Sequence, residues 1–134
     1  MNMTTFDFGN GPVPAHKHPW GGGWVADTAK VDETAYVGPN AQVFDKARVS
    51  NNARVYDNAQ VFGNAWVYHD AEVSGEAQVY GIARVFNDAQ VTDYVWTFDY
   101  ARVFDDAQVS NDAEEDMFIE MNGKRYKLVE VEGR

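Results

Sequence analysis

The sequence of 134 residues contains no cysteine, which excludes a disulfide framework and any thiol-based catalytic or metal site. Its opening segment has no apolar run suited to export or membrane spanning, so we expect a cytoplasmic protein, or a component of a particle assembled in the cytoplasm. Basic residues are scarce as well: 11 Lys and Arg stand against 21 Asp and Glu, for a net charge of −10. Such a charge disfavours direct binding to nucleic acid or to a membrane.

What the sequence does contain is an internal repeat of six residues. Alanine recurs at every sixth position from Ala29 to Ala113, interrupted only by Val95. Valine recurs two residues later, from Val31 to Val109, interrupted only by Thr97. A helix needs apolar residues about 3.6 positions apart and a lone strand needs them two apart, so this pattern predicts short strands stacked in a repeating unit.

Each unit consists of a short strand, Ala-x-Val-x, followed by two corner residues drawn mostly from Asn, Asp, Gly, Glu and Pro. Asn, Asp and Gly tolerate the left-handed backbone conformation of a tight corner, and Asn or Asp can bond its own backbone there. Residues two apart share one face of a strand, so Ala and Val point inward while the residues flanking Val point outward. Stacked coils then bury the Ala and Val columns, which predicts an all-β solenoid.

This register resembles that of the hexapeptide-repeat proteins over Ala29 to Ala113. The resemblance implies a left-handed parallel β-helix with three strands and about eighteen residues per coil, here about five coils. That family is an exception to the right-handed crossover preference. The usual unit has Gly directly after its aliphatic residue, whereas this chain has Phe, Tyr, Ser or Thr in most units and keeps Gly38. The opening HKHPWGGGWVADTA also resembles the start of small loop-free members from phage and bacterial genomes.

The two ends of the chain are predicted to cover the repeat, because an open solenoid end exposes apolar residues and unpaired strand edges. Residues 1–28, rich in Gly, Pro and aromatics, form an irregular N-terminal cap in this interpretation. Residues 29–113 form the β-helix. Residues 114–134 form a C-terminal β-hairpin cap, because Asn122-Gly123 is a strong two-residue turn signal between two β-prone runs.

Positions eighteen apart should stack about 4.8 Å from one another, which sorts the outward residues into three faces. The third face is the richest in aromatic and aliphatic side chains, namely Phe44, Phe62, Tyr80, Ile82, Tyr94, Trp96, Phe98 and Tyr100. Monomers rarely expose an apolar patch larger than roughly 300 to 600 Å², so this face predicts an interface. The alternative is a stacked aromatic ladder that only stiffens the solenoid.

The first face alternates arginine with aromatic residues, and the corner beside it is acidic. The cation–aromatic face comprises Arg48, Trp66, Tyr68, Arg84, Phe86, Arg102 and Phe104. Cation–π stacking explains this set, and single-stranded nucleic acid is a second, less favoured interpretation. The acidic edge comprises Glu33, Asp70, Asp88, Asp105 and Asp106. These are either solvated turn residues or a strip that imitates nucleic acid and occupies the basic groove of another protein.

Catalysis is not supported by the residues present. The resemblance implies acyltransferases, which use a His as general base, and gamma-class carbonic anhydrases, which hold zinc with three His. Here the repeat contains only His69, and no loop interrupts its units. His16 and His18 form a weak candidate for a metal clip without a third ligand nearby in sequence. We therefore expect no cofactor and no catalytic residue.

The sequence thus predicts a non-enzymatic solenoid that presents rigid faces to a protein partner, or self-associates as a dimer or trimer. One specific hypothesis is an inhibitor encoded by a mobile element and directed at a nucleic-acid-handling defence enzyme of the bacterial host. The alternatives are a structural component of a phage particle, or another self-assembling component, and a divergent hexapeptide acyltransferase.

Overall fold

The computed structural model describes residues 4–110 and the backbone of 118–121 and 124–127. Within these ranges the chain is all-β and coils about five times around a narrow core, with three strands per coil. The described residues include no helix of the length and apolarity needed to cross a membrane. The β-solenoid predicted from the six-residue repeat is confirmed.

Three parallel sheets run along the solenoid, and each supplies one face. The first face contains β4 (Lys30–Val31), β7 (Arg48–Val49), β10 (Trp66–Val67), β13 (Arg84–Val85) and β16 (Ala101–Val103). The second contains β5 (Tyr36–Val37), β8 (Arg54–Val55), β11 (Glu72–Val73), β14 (Gln90–Val91) and β17 (Gln108–Val109). The third contains β3 (Trp24–Ala26), β6 (Gln42–Val43), β9 (Gln60–Val61), β12 (Gln78–Val79) and β15 (Trp96–Thr97).

The pairing register confirms the predicted coil length. Trp66 lies opposite Arg48 on one side and Arg84 on the other, eighteen positions away in both directions. The second and third faces have the same offset, as in the pairing of Gln60 with Gln42 and Gln78. Because every offset is eighteen, each outward side chain lies directly above its counterpart in the previous coil.

The core consists of the alanine and valine columns. Ala65 and Val67, for example, are fully buried, and most other members of the two columns are at or close to zero exposure. Small inward residues keep the tube narrow, so its interior has little room for a larger side chain. In the irregular unit, Thr97 occupies the valine column and is buried, while Val95 occupies the alanine column and is only half-buried.

From Asp45 to Asp105 the first residue of each corner adopts the predicted left-handed backbone conformation, whereas Glu33 and Pro39 in the first two corners do not. The left-handed φ lies between 55° and 69° in eleven consecutive units, at Asp45, Asn51, Asp57, Gly63, His69, Gly75, Gly81, Asn87, Asp93, Asp99 and Asp105. Several side chains there hydrogen-bond the next coil rather than their own backbone. Gly63 N donates to Asp45 Oδ2 at 3.1 Å, and His69 N donates to Asn51 Oδ1 at 3.1 Å. The corners thus also join successive coils.

The N-terminal segment, expected to form an irregular cap, contains paired strands. Strands β1 (Thr5–Asp7) and β2 (Pro12–Lys17) are antiparallel, and β2 pairs antiparallel with β3. The parallel stack itself begins with β3, one unit before Ala29, because β3 pairs in parallel with β6. The alanine pattern misses that unit because Gly23 occupies the alanine column. A Cβ added at Gly23 would lie 2.2 Å from the Gly38 carbonyl oxygen.

The C-terminal strands extend the sheet of the first face. Strand β18 (Phe118–Met121) pairs antiparallel with β16, and β19 (Lys124–Lys127) pairs antiparallel with β18. An antiparallel neighbour therefore follows the last parallel strand of the first face, as one precedes the first parallel strand of the third face. The Asn122-Gly123 turn predicted for the hairpin lies outside the described residues.

Candidate interaction surfaces

The third face has two outward columns that run along the solenoid. Before the valine column lie Trp24, Gln42, Gln60, Gln78 and Trp96, and after it lie Phe44, Phe62, Tyr80 and Phe98. The rings of Phe44, Phe62 and Tyr80 stack with centroids 4.8 and 4.9 Å apart and planes within 6° of parallel. Beside them, Gln60 Nε2 donates to Gln42 Oε1 at 3.2 Å. These contacts match the ladder interpretation for the middle of this face.

Phe44 is not available to a partner, although the sequence analysis placed it in the interface. It is only 8% exposed, because Phe8 of the N-terminal segment stacks on its other side with centroids 4.8 Å apart. Phe6 covers Trp24 in the same way, with centroids 4.7 Å apart. The N-terminal end of both columns is therefore covered by aromatic rings from β1 and the residue that follows it.

The opposite end of the third face presents an aromatic row to solvent. Tyr94, Trp96, Phe98 and Tyr100, which we call the aromatic row, alternate along one coil, and Trp96 and Tyr94 are 59% and 64% exposed. Ile82, one coil earlier at the same corner as Tyr100, is also exposed. Five of the seven exposed large hydrophobic residues in the described chain lie in this patch.

Tyr80 connects the ladder to the aromatic row. Its ring stacks on Phe98 at 5.5 Å and meets Trp96 edge-on at 6.5 Å. Burial, and then the neighbouring Asp99 carboxylate, raise the pKa of the Tyr80 phenol above its ordinary value. Tyr80 therefore keeps its proton at neutral pH and supports the two exposed rings from beneath.

The first face places Trp66 between two guanidinium groups from the coils on either side. The Cζ atoms of Arg48 and Arg84 lie 5.6 and 5.5 Å from the indole centroid, within the range of cation–π attraction. The indole Nε1 also donates to Ser50 Oγ at 3.1 Å. Tyr68, Phe86 and Phe104 form a stacked column beside it, and the Tyr68 ring also contacts Trp66 with centroids 4.4 Å apart. These rings and charges engage one another within the protein.

Four residues of the acidic edge lie together, and Glu33 is not among them. Asp70, Asp88, Asp105 and Asp106 line a shallow groove with neighbouring Asn residues and His69. A hydrogen-bonded chain crosses three coils here: His69 Nδ1 lies 3.0 Å from Asn87 Oδ1, and Asn87 Nδ2 donates to Asp105 Oδ1 at 3.1 Å. Asp105 thus helps to hold successive corners together.

The two N-terminal histidines have separate roles in the fold. His16 is exposed, and its Nδ1 lies 2.7 Å from Asp27 Oδ1. His18 is buried, and its Nε2 donates to the Ala35 carbonyl at 2.7 Å. No group of three or more His, Cys, Asp or Glu suited to a metal ion occurs in the part of the chain that the structure describes.

The second face contains a polar pair that the sequence analysis did not single out. Tyr56 Oη donates to Glu72 Oε1 at 2.9 Å. Burial, and then this hydrogen bond, raise the pKa of the Tyr56 phenol above its ordinary value. The eighteen-residue offset places Tyr56 and Glu72 on adjacent coils, so their proximity could be read from the register. The hydrogen bond between the phenol and the carboxylate is visible only in the tertiary structure.

Comparison with known proteins adds one finding on the repeat itself. A family model described as the YdcK beta-solenoid repeat matches residues 59–75, which lie in the middle of the solenoid. No curated protein and no solved structure matches the chain. Over that segment the chain is similar to the YdcK beta-solenoid repeat, in agreement with the stacked coils of the structure.

Proposed function

We propose that this chain is a non-enzymatic interaction module, a rigid solenoid that binds a protein partner through the aromatic row and Ile82. The observation that carries the proposal is the change in exposure along the third face. Its aromatic column is covered by Phe8 at one end and stacked in the middle, whereas Phe98 at the other end is 41% exposed and the neighbouring Trp96 is 59% exposed. Aromatic side chains concentrated in this way are typical of interface centres.

The composition of the same coil supports this placement. The coil before it has Glu76 and Gln78 where the aromatic row has Tyr94 and Trp96. The inward side of the row remains filled by Val95 and Thr97. The unit therefore keeps a core while its outward side changes from polar to aromatic, which the solenoid by itself does not require.

Charge indicates the chemistry of the partner. Asp93 and Asp99 occupy the corners that precede Tyr94 and Tyr100, and the chain as a whole has a net charge of −10. An aromatic centre flanked by carboxylates complements an apolar surface with Lys or Arg at its rim. The partner in this proposal is accordingly a protein with an apolar patch and a basic border.

A binding role is also favoured over an enzymatic one by the surroundings of His69, the only histidine in the repeat. Its Nδ1 contacts Asn87 and its backbone N–H bonds Asn51, so both groups take part in the corner structure. We expect His69→Ala to leave the function of the protein intact. Acyl transfer from an acyl-CoA that requires His69 in a folded protein would overturn the proposal.

The test compares variants of matched chemistry on two faces. Replacing an aromatic anchor by Ala typically costs roughly 2 kcal/mol or more, so Trp96→Ala/Phe98→Ala should weaken association more than about a hundredfold if the two effects add. Trp66→Ala, on the first face, is the control and should bind like wild type. Sedimentation reports self-association, and capture from a host lysate followed by titration with the purified partner reports hetero-association. If wild type, Trp96→Ala/Phe98→Ala and Trp66→Ala all bind equally, the third face is only a ladder that stiffens the solenoid.

The narrower hypothesis, that the acidic edge occupies the nucleic-acid groove of a host enzyme, has a separate test. Asp105→Lys/Asp106→Lys should leave self-association unchanged and weaken capture of a basic-grooved partner, most visibly at low salt. An inhibitor should also compete with that partner's nucleic acid. Self-assembly without any second protein would favour the structural alternative instead.

A further inference from the structure

A trough lies where the N-terminal segment meets the second face, two to three coils before the aromatic row along the solenoid. Its volume is about 400 Å³, within the range of ordinary small-molecule sites. It is lined by three aromatic residues, three polar or charged residues and one proline, namely Trp20, Tyr36, Tyr56, Asn40, Arg54, Asp57 and Pro39. None of these residues belongs to the surface proposed above, so the trough requires its own explanation.

The aromatic walls of the trough exist because Gly38 has no side chain beneath Tyr56. Gly38 stands directly beneath Tyr56 in a position where most other units have Phe, Tyr, Ser or Thr. A Cβ at Gly38 would lie 3.2 Å from the Tyr56 Cβ and 3.4 Å from Cε2 of Tyr36. In its column Tyr56 is flanked by Gly38 and Ser74, neither of which has a ring. The phenol is therefore not part of an aromatic stack and borders the trough.

The third wall, Trp20, is held in place by the backbone. Val37 N donates to the Trp20 carbonyl at 3.2 Å, and the buried His18 anchors the same loop to Ala35. The Trp20 ring meets Tyr36 edge-on with centroids 5.2 Å apart and yet is 47% exposed. A large aromatic surface fixed before any ligand arrives loses little conformational entropy on binding.

The charges around the trough select against ions of either sign. The Arg54 guanidinium lies 5.8 Å from the Trp20 ring, where it would repel a cationic ligand. Asp57 on the same rim would repel a phosphate or carboxylate. Arg54 and Asp57 cancel in formal charge, while Asn40 adds an amide that both donates and accepts. A neutral ligand with many hydroxyl groups can satisfy all three.

We propose that this trough binds a sugar ring of a neutral glycan. The C–H face of the ring would lie on Trp20, and its hydroxyls would bond Arg54, Asn40 and Asp57. Planar guanidinium, carboxylate and amide groups can each engage two neighbouring hydroxyls, which gives selectivity for ring stereochemistry. Tyr56, whose hydroxyl donates to Glu72, would contribute its ring rather than a hydrogen bond from that proton.

The experiment uses the full chain and neutral probes of known structure. Isothermal titration with maltohexaose, cellohexaose and hexa-N-acetylchitohexaose, after a screen on an array of neutral glycans, should find at least one binder. Trp20→Ala should weaken that binding by about tenfold or more, because the main apolar contact is lost. Trp96→Ala, which removes an equally prominent tryptophan on another face, should have no effect.

A second variant distinguishes the loss of a ligand contact from a loosening of the N-terminal segment by Trp20→Ala. Arg54 is exposed and outside the core, so Arg54→Met should keep the fold and still reduce affinity severalfold. Absence of binding to every neutral glycan would overturn the proposal, as would binding that neither variant changes. A preference for ATP, for tetramethylammonium or for a proline-rich peptide would assign the trough to a different class of ligand.

Discussion

Phe8 stacks on Phe44 with ring centroids 4.8 Å apart and planes 17° from parallel. Phe44 belongs to the six-residue repeat, whereas Phe8 lies outside it, so this contact joins the N-terminal segment to the first coils. It also extends the aromatic column by one ring, since Phe62 stacks on the other side of Phe44 with the same centroid distance. The N-terminal segment therefore completes a column of the solenoid and covers its end.

Loss of the Phe8 ring should loosen the N-terminal end of the solenoid. We expect Phe8→Ala to lower the free energy of unfolding by about 1–2 kcal/mol, because a stacked pair and its buried area are lost. Phe8→Tyr keeps the ring and should stay close to wild type. Denaturant unfolding gives the energies, and hydrogen exchange at Gln42–Val43 shows where they act. Wild-type exchange in Phe8→Ala would mean that the stack contributes nothing.

Overpacking of the core should be far more harmful than truncation of the surface next to it. Ala65 is fully buried in the narrow tube, so Ala65→Leu should cost roughly 1 to 3 kcal/mol or more. Trp66→Ala, one residue away, removes the contacts with Arg48, Arg84 and Ser50 and should cost less, because these groups remain accessible to water. Thermal melting compares the two variants. Equal losses would contradict the assignment of Ala65 to the inside and Trp66 to the outside.

The corner at His69 should tolerate glycine and resist a β-branched residue. His69 has a φ of 59°, a conformation open to Gly and Asn and unfavourable for valine. We expect His69→Val to be about 1–2 kcal/mol less stable than His69→Gly. Asp70→Val, at the next residue, tests for a general effect of valine at corners and should be nearly neutral. Similar stability of His69→Val and His69→Gly would show that the corner relaxes without cost.

The Tyr56 phenol should titrate at higher pH than an ordinary tyrosine, whose pKa is 10.0. Burial and the hydrogen bond to Glu72 raise the folded-state pKa above the unfolded value, so the associated stability is fully present below pH 10 and is lost as pH rises through the folded-state pKa. The tyrosinate absorbance of wild type minus that of Tyr56→Phe isolates this group. Glu72→Gln should move the transition to lower pH. A transition at or below that of free tyrosine would refute the assignment.

Local chemistry was enough to predict most of the fold. The strict Ala and Val columns imply an inside and an outside, because only a strand places residues two apart on one face. The coil length of three units was implied by the resemblance to the hexapeptide-repeat proteins, and the observed eighteen-residue register agrees, as at Trp66 with Arg48 and Arg84. The left-handed corners were predictable for the same reason, since Asn, Asp and Gly adopt that backbone most easily. The handedness of the coil stays a prediction.

Contacts between distant parts of the chain were decided by the tertiary structure alone. Phe44 and Phe98 occupy equivalent positions in the repeat, yet one is 8% and the other 41% exposed, because Phe8 covers only the first. Likewise Trp20 borders Tyr36 only because the His18 loop bonds to Ala35 and Val37. The position of a residue in the repeat determines the direction of its side chain. The exposure of that side chain depends on which other segment packs against it, and therefore on how segments outside the repeat fold back on the coils.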